Sequence, residues 1–256
     1  MSILQFKEFG DRHNKKALLI HGGYVTWRTL QIQTELLAKE YYVIVPLLNG
    51  HNLNDNSQLL SIEQEAEQII KYLNNKNISK VEILYGASLG ADIALEILSQ
   101  SFDLVKYAVI ESGSLGINRV TAYFLTKATV KTMYYGVRGN RFYRLILNRF
   151  LANLGMPKEL YKNTKDLLSH MTKLTLNNVQ SLVCNYSLKD NIKYTTAKIL
   201  VIYSTKEKYL VKPYNDMKKL VANMKILCLQ NYSHGELCIG NPNKVVQIIK
   251  RFVESI

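Results

Sequence analysis

Apolar positions in the first half of the chain fall into short runs separated by stretches of helical period. Residues 17–20 (ALLI) form an apolar run ending in His21-Gly22-Gly23, the pattern of a buried strand followed by a tight loop. Residues 41–48 (YYVIVPLL) form a second run, closed by the turn cluster Asn49-Gly50-His51-Asn52. Ser61 is placed to cap a helix in which Ile62, Ala66, Ile69, Ile70 and Leu73 share one face. Residues 81–85 (VEILY) predict the next strand, 91–98 a helix, and 107–110 (YAVI) another strand. Such alternation predicts a mostly parallel sheet with helices on both faces.

The rhythm breaks at about residue 117. Helical patterns then cover 120–135, 142–154, 159–171 and 176–186, punctuated by Pro157 and the glycines at 136, 139 and 155. Residues 198–203 (KILVIY) restore the strand pattern. A helix over 215–223, a strand over 225–229 (KILCL) and a closing helix over 244–255 follow. The expectation is one α/β core, residues 1–116 and 191–256, interrupted by a helical insertion at 117–190.

Composition fits this reading without narrowing it. The 256 residues are 47% hydrophobic and 21% charged, as expected of a globular, water-soluble chain. No stretch approaches the roughly 20 apolar residues of a membrane span. The first nine residues, with Lys7 and Glu8, do not read as a signal peptide. Cysteines at 184, 228 and 238 form neither a disulfide framework nor a CxxC motif, so reduced thiols and a cytoplasmic location are expected. The net charge of +13 is unevenly spread. Residues 117–190 hold 12 Lys and Arg against 3 Asp and Glu. Without a recognisable nucleic-acid module, that basic segment does not predict a nucleic-acid partner.

The chemistry centres on Gly86-Ala87-Ser88-Leu89-Gly90, between a predicted strand and a predicted helix. A serine on so sharp a turn needs glycine two residues to either side, and the helix that follows favours developing negative charge. Ser88 is therefore the candidate nucleophile. A hydroxyl attacks well only when a base takes its proton. His234 stands directly after strand KILCL, where such a base is needed, whereas His13, His51 and His170 are less suitably placed and His21 is expected to hold backbone shape. An acid must orient the imidazole. Glu207, after KILVIY, completes the chain order Ser88, Glu207, His234; Glu111, at the end of YAVI, is the competitor. The oxyanion donors are expected to be the Leu89 and Gly23 amides, with Tyr24 as the alternative to Gly23.

Together these residues resemble the α/β-hydrolase superfamily, its lipase and esterase side in particular. LLIHGG is similar to the family's strand and oxyanion loop, PLLNGHN to its Gly-His loop, GASLG to its nucleophile elbow, KILVIYSTKE to the strand presenting the acid, and YSHG to the histidine loop. The likeness spans residues 3–116 and 194–256. It implies an α/β-hydrolase fold with a helical cap after the family's sixth strand, and a serine esterase with no metal or organic cofactor. Departures are Glu207 where Asp is commoner, Ser233 where Gly precedes the histidine, and Leu47 and Asn49 in the Gly-His loop.

The expected substrate is a small ester, such as a monoacylglycerol-like or other acyl ester. Thioester, lactone or carbon–carbon hydrolysis would use the same groups, and a non-catalytic binding protein would keep only the fold. The insertion carries aromatics (Tyr123, Phe124, Tyr134, Tyr135, Phe142, Tyr143, Phe150) among basic residues (Lys127, Lys131, Arg138, Arg141, Arg144, Arg149). Helical aromatics of this kind are expected to form core. Some, with Tyr24, Tyr123, Phe124 and Tyr134 as candidates, are expected to roof a substrate pocket. The basic face fits an acidic substrate, weak association with an anionic membrane surface, or simple solvation.

Overall fold

The computed structural model describes residues 4–54, 56–116 and 119–255. Among the described residues, seven strands form one sheet: β1 (Gln5–Phe9), β2 (Lys16–Ile20), β3 (Tyr42–Leu47), β4 (Val81–Ala87), β5 (Val105–Glu111), β6 (Lys198–Ser204) and β7 (Met224–Leu229). Their order is β1-β3-β2-β4-β5-β6-β7, parallel throughout except for β1, which runs antiparallel to β3. The central strands are buried on both faces, which is why they read as unbroken apolar runs rather than alternating ones.

Two apolar cores flank the sheet. On one face, α2 (Ile62–Asn75), α3 (Leu89–Gln100) and α8 (Val211–Leu220) pack over Leu18, Ile44, Leu84 and Ile110. On the other, α1 (Gln31–Leu37), α9 (Glu236–Gly240) and α10 (Pro242–Glu254) cover Leu19, Val43, Val45 and Tyr85. Ser61 caps α2, its hydroxyl accepting from the Gln64 amide.

Four helices intervene between β5 and β6: α4 (Arg119–Val137), α5 (Arg141–Asn153), α6 (Lys158–His170) and α7 (Lys173–Asn185). They leave the sheet from β5, next to the strand β6 that leads to Glu207. Residues 117 and 118, where the insertion is expected to begin, lie outside the described residues. Val130 and Met133 of α4, Leu147 and Leu151 of α5, and Leu167 and Leu168 of α6 join the core of α1 and α10. Val179 of α7 belongs to the other core. The inserted helices are thus seated on the sheet's C-terminal edge by buried side chains from both cores. Among the described residues no helix is long and apolar enough to cross a membrane.

Candidate active site

Ser88 stands between β4 and α3 with φ 53° and ψ −117°, a conformation few side-chain-bearing residues adopt. Its flanking glycines are sterically required: a Cβ on Gly86 would lie 2.2 Å from the Gly90 carbonyl oxygen, and one on Gly90 2.2 Å from that of Ile20. The Ser88 amide donates to the Glu111 carbonyl at 2.8 Å, and the amides of Ala91 and Asp92 donate back to the Ser88 carbonyl. The turn is held from both sides, so the hydroxyl projects at the sheet's C-terminal edge.

There the Ser88 hydroxyl donates to His234 Nε2 at 2.9 Å, and His234 Nδ1–H donates to Glu207 Oε1 at 2.7 Å. Glu207 follows β6 in a turn that buries its carboxylate. Its second oxygen, Oε2, accepts from the Ser112 hydroxyl at 2.8 Å and the Ser204 amide at 2.9 Å. Burial works to raise the pKa of Glu207, but the hydrogen bond and charge of His234, followed by Ser112 and Ser204, hold it below the usual carboxylate value. For His234 burial works downward. Glu207, with added charge from Glu111 and Asp92, outweighs it and raises the imidazole above its ordinary 6.5. The histidine loop is itself braced. The Ser233 amide donates to Glu236 Oε2 at 2.7 Å, and Gly235 takes φ 78°.

Glu111, the competing acid, faces elsewhere. Its Oε2 accepts from the Tyr85 hydroxyl at 2.6 Å and its Oε1 from the Cys238 amide at 3.0 Å, while burial pushes its pKa up to about 7. Position at a strand end is shared by Glu111 and Glu207; only Glu207 reaches the imidazole.

The His21-Gly22-Gly23 loop runs beside the serine turn. A Cβ on Gly22 would stand 3.5 Å from that of Ser88, and one on Gly23 3.7 Å from that of Leu89. The loop thus lies against Ser88 through Gly22 and against Leu89 through Gly23. His21 is fully buried with Nδ1 2.8 Å from the Gly22 carbonyl, and burial pushes its pKa down to about 3, so it stays neutral and holds the loop. His51 is similarly buried, its pKa pushed down to about 4.

The four candidate pocket aromatics stand in different environments. Tyr24, at φ 64°, turns its hydroxyl to Gln180 Oε1 at 2.9 Å and the Leu176 carbonyl at 3.2 Å, fastening α7 to the core. Tyr123 and Phe124 are 54% and 65% exposed and pack edge to face with each other. Tyr134 is half-buried beneath the Arg138 guanidinium. Inserted side chains that meet the site's glycines are Val179, which would touch a Cβ on Gly23 at 3.2 Å, and Leu154, which would touch one on Gly235 at 3.2 Å. Their positions depend on how α5 and α7 dock, which single-helix periodicity does not encode.

Asp92, one turn into α3, also went unread in the sequence. It is fully buried four residues after Ser88, and burial pushes its pKa up to about 7. The Ser114 hydroxyl lies 2.8 Å from Asp92 Oδ2 and 2.5 Å from the Val183 carbonyl. The Ser114 hydroxyl can donate to either acceptor, and the Leu115 amide reaches the other Asp92 oxygen at 3.4 Å. Asp92, through Ser114, joins the helix after the serine to the segment entering the insertion and to α7. Among the described residues, no group of three or more His, Cys, Asp or Glu is placed to hold a metal ion.

No protein-family model matches the chain, and no curated protein matches it. Solved structures do. A protein assigned to the α/β-hydrolase family from Desulfitobacterium hafniense superposes with TM-score 0.80 at 21% identity, over 97% of this chain and all of its own. One assigned as a lipase from Acinetobacter baumannii AYE gives 0.78 at 22%, over 100% of this chain and 91% of its own. An enol-lactonase from Burkholderia xenovorans LB400 gives 0.71 at 14%, over 98% and 96%. The chain has the α/β-hydrolase fold.

Proposed function

We propose that the protein is a serine hydrolase that cleaves a carboxylic ester through an acyl-enzyme on Ser88. The observation carrying this reading is the unbroken relay from Ser88 Oγ through His234 to Glu207, at 2.9 and 2.7 Å, on a strained turn. His234 takes the hydroxyl proton as Ser88 attacks the ester carbonyl, and Glu207 fixes the tautomer and stabilises the imidazolium. The tetrahedral oxyanion sits at the Leu89 and Gly23 amides, reinforced by the N-terminus of α3. Collapse expels the alcohol, which takes the proton from His234. Water activated by the same imidazole then releases the acid. Each oxyanion donor contributes on the order of 3 kcal/mol to the transition state.

Val179 against Gly23 and Leu154 against Gly235 make the surroundings of the site apolar, which supports an acyl group as the portion held there. The lipase assignment of one similar structure and the enol-lactonase name of another both denote acyl transfer to water and support the same reaction class. Turnover of p-nitrophenyl esters of graded chain length tests the reading. Hydrolysis with a chain-length optimum, lost in Ser88→Ala, is the expected result. Hydrolysis at an equal rate in Ser88→Ala would overturn it.

A further inference from the structure

The outer face of the α4–α5 hairpin combines two features that water alone does not favour. Residues 119–153 contain seven Lys and Arg and no Asp or Glu. Between those cations, large apolar side chains face solvent: Phe124 at 65% exposed, Phe142 at 66% and Leu145 at 70%, with Tyr135, Ile146 and Phe150 also exposed. These are not core residues out of place, because the inner face of the same hairpin is already filled by Val130, Met133, Leu147 and Leu151. On α5, Phe142, Leu145 and Arg149 recur at spacings of three and four, so apolar and cationic groups share one face.

The cations are available. Lys127, Lys131, Arg141, Arg144 and Arg149 make no ion pair among the described residues. Arg138 differs: its guanidinium donates to the carbonyls of Leu168, Ser169 and Met171, closing the end of α6. A second copy of this chain would bring like charge against like. A nucleic acid would answer the cations but not Leu145 or Ile146, which have no ring to stack on a base. An anionic bilayer answers both, with lipid phosphates for the cations and the acyl boundary for the apolar groups.

We propose that this hairpin face docks the protein on an anionic lipid surface. Phe142, Leu145 and Phe124 enter the headgroup–acyl boundary while Lys127, Lys131, Arg141, Arg144 and Arg149 sit among the phosphates. Leu154, immediately beyond α5, packs from the hairpin's buried side on Gly235, the residue after His234.

Co-sedimentation of the full chain with phosphatidylcholine vesicles, with and without about 30% phosphatidylglycerol, tests this apart from any hydrolysis. The expected result is binding to the anionic vesicles at least about tenfold tighter than to neutral ones, weakening with salt. Two variants divide the surface: Phe142→Ser with Leu145→Ser, and Lys127→Ala with Lys131→Ala and Arg144→Ala. Each is expected to lose about tenfold or more in vesicle affinity while keeping wild-type melting temperature and p-nitrophenyl ester turnover. Equal binding to neutral and anionic vesicles, or no binding to either, would overturn the proposal. So would wild-type vesicle affinity in both variants. Duplex DNA bound as tightly as the anionic vesicles, with the serine variant matching wild type on both, would make the face a polyanion site instead.

Discussion

The C-terminal edge of the sheet and the α4–α5 hairpin treat charge in opposite ways. At the edge, each carboxylate near Ser88 is buried and partnered: Glu207 by His234, Ser112 and Ser204, Glu111 by Tyr85 and Cys238, Asp92 by Ser114. On the hairpin, five cations stand without an ion-pair partner among the described residues, beside exposed Phe and Leu side chains. A buried carboxyl is tolerable only when its hydrogen bonds are complete, so the edge admits one arrangement, and what the loss of a member does depends on whether it reaches the imidazole. A hydrated charge constrains nothing around it. The chemistry is expected to be rigidly specified at the edge and indifferent to the hairpin's outer surface.

The largest expected effect breaks the edge selectively. Glu207→Gln should lower kcat for p-nitrophenyl butyrate by about 10³–10⁴-fold, because an amide no longer enforces the imidazole tautomer or stabilises its cation. Glu111→Gln, whose partners are Tyr85 and the Cys238 amide, should keep activity within about tenfold. The reverse ranking would move the orienting acid to Glu111.

Asp92 sharpens the same contrast through stability. Its pKa in the folded chain is raised to about 7 from an ordinary 3.8, so the folded state favours the neutral acid. The stability this gives is complete below pH ~4 and is lost as pH rises through ~7. Asn at this position supplies the donor to Ser114 without the charge. Asp92→Asn is therefore expected to exceed wild type by roughly 2–4 kcal/mol in urea denaturation at pH 8, with the gap shrinking toward pH 4. A variant less stable than wild type at pH 8 would mean that Asp92 works as the anion.

A smaller effect comes from pH alone. His234 must be neutral to accept the proton, and its pKa is raised. The value of kcat/KM should fall on acidification through a midpoint above 6.5, about tenfold per unit below it. Replacing Glu207 with Gln should shift that midpoint downward. The smallest effect belongs to the hairpin: Phe142→Ser with Leu145→Ser should alter unfolding free energy by no more than about 0.5 kcal/mol per site and leave turnover of water-dissolved esters unchanged.

Much of this division was legible in the sequence. Strands buried on both faces, such as LLI before the His-Gly-Gly loop and EILYGA before Ser88, announce themselves as apolar runs. The four inserted helices appeared within a few residues of their bounds, because Leu147 and Leu151 on α5, like Leu167 and Leu168 on α6, mark a buried stripe. Strand β1 (QFKEF) did not, since an edge strand with polar, half-exposed positions lacks such a signal. Ser88, His234 and Glu207 each lie just beyond a strand end, which is why chain order pointed to them. Sequence left Glu111 as a competitor because orientation at a strand end is set by partners on other elements. Val179, Leu154 and Asp92 escaped for the same reason: their roles arise where the insertion meets the core.

The central claim, that Ser88 is an activated nucleophile, is tested most directly by intact-mass analysis after reaction with a fluorophosphonate. The expected result is one adduct on the native chain, located at Ser88 by peptide mapping, absent in Ser88→Ala and formed far more slowly in His234→Ala. No adduct on the folded native protein, or equal labelling of Ser88→Ala, would contradict it.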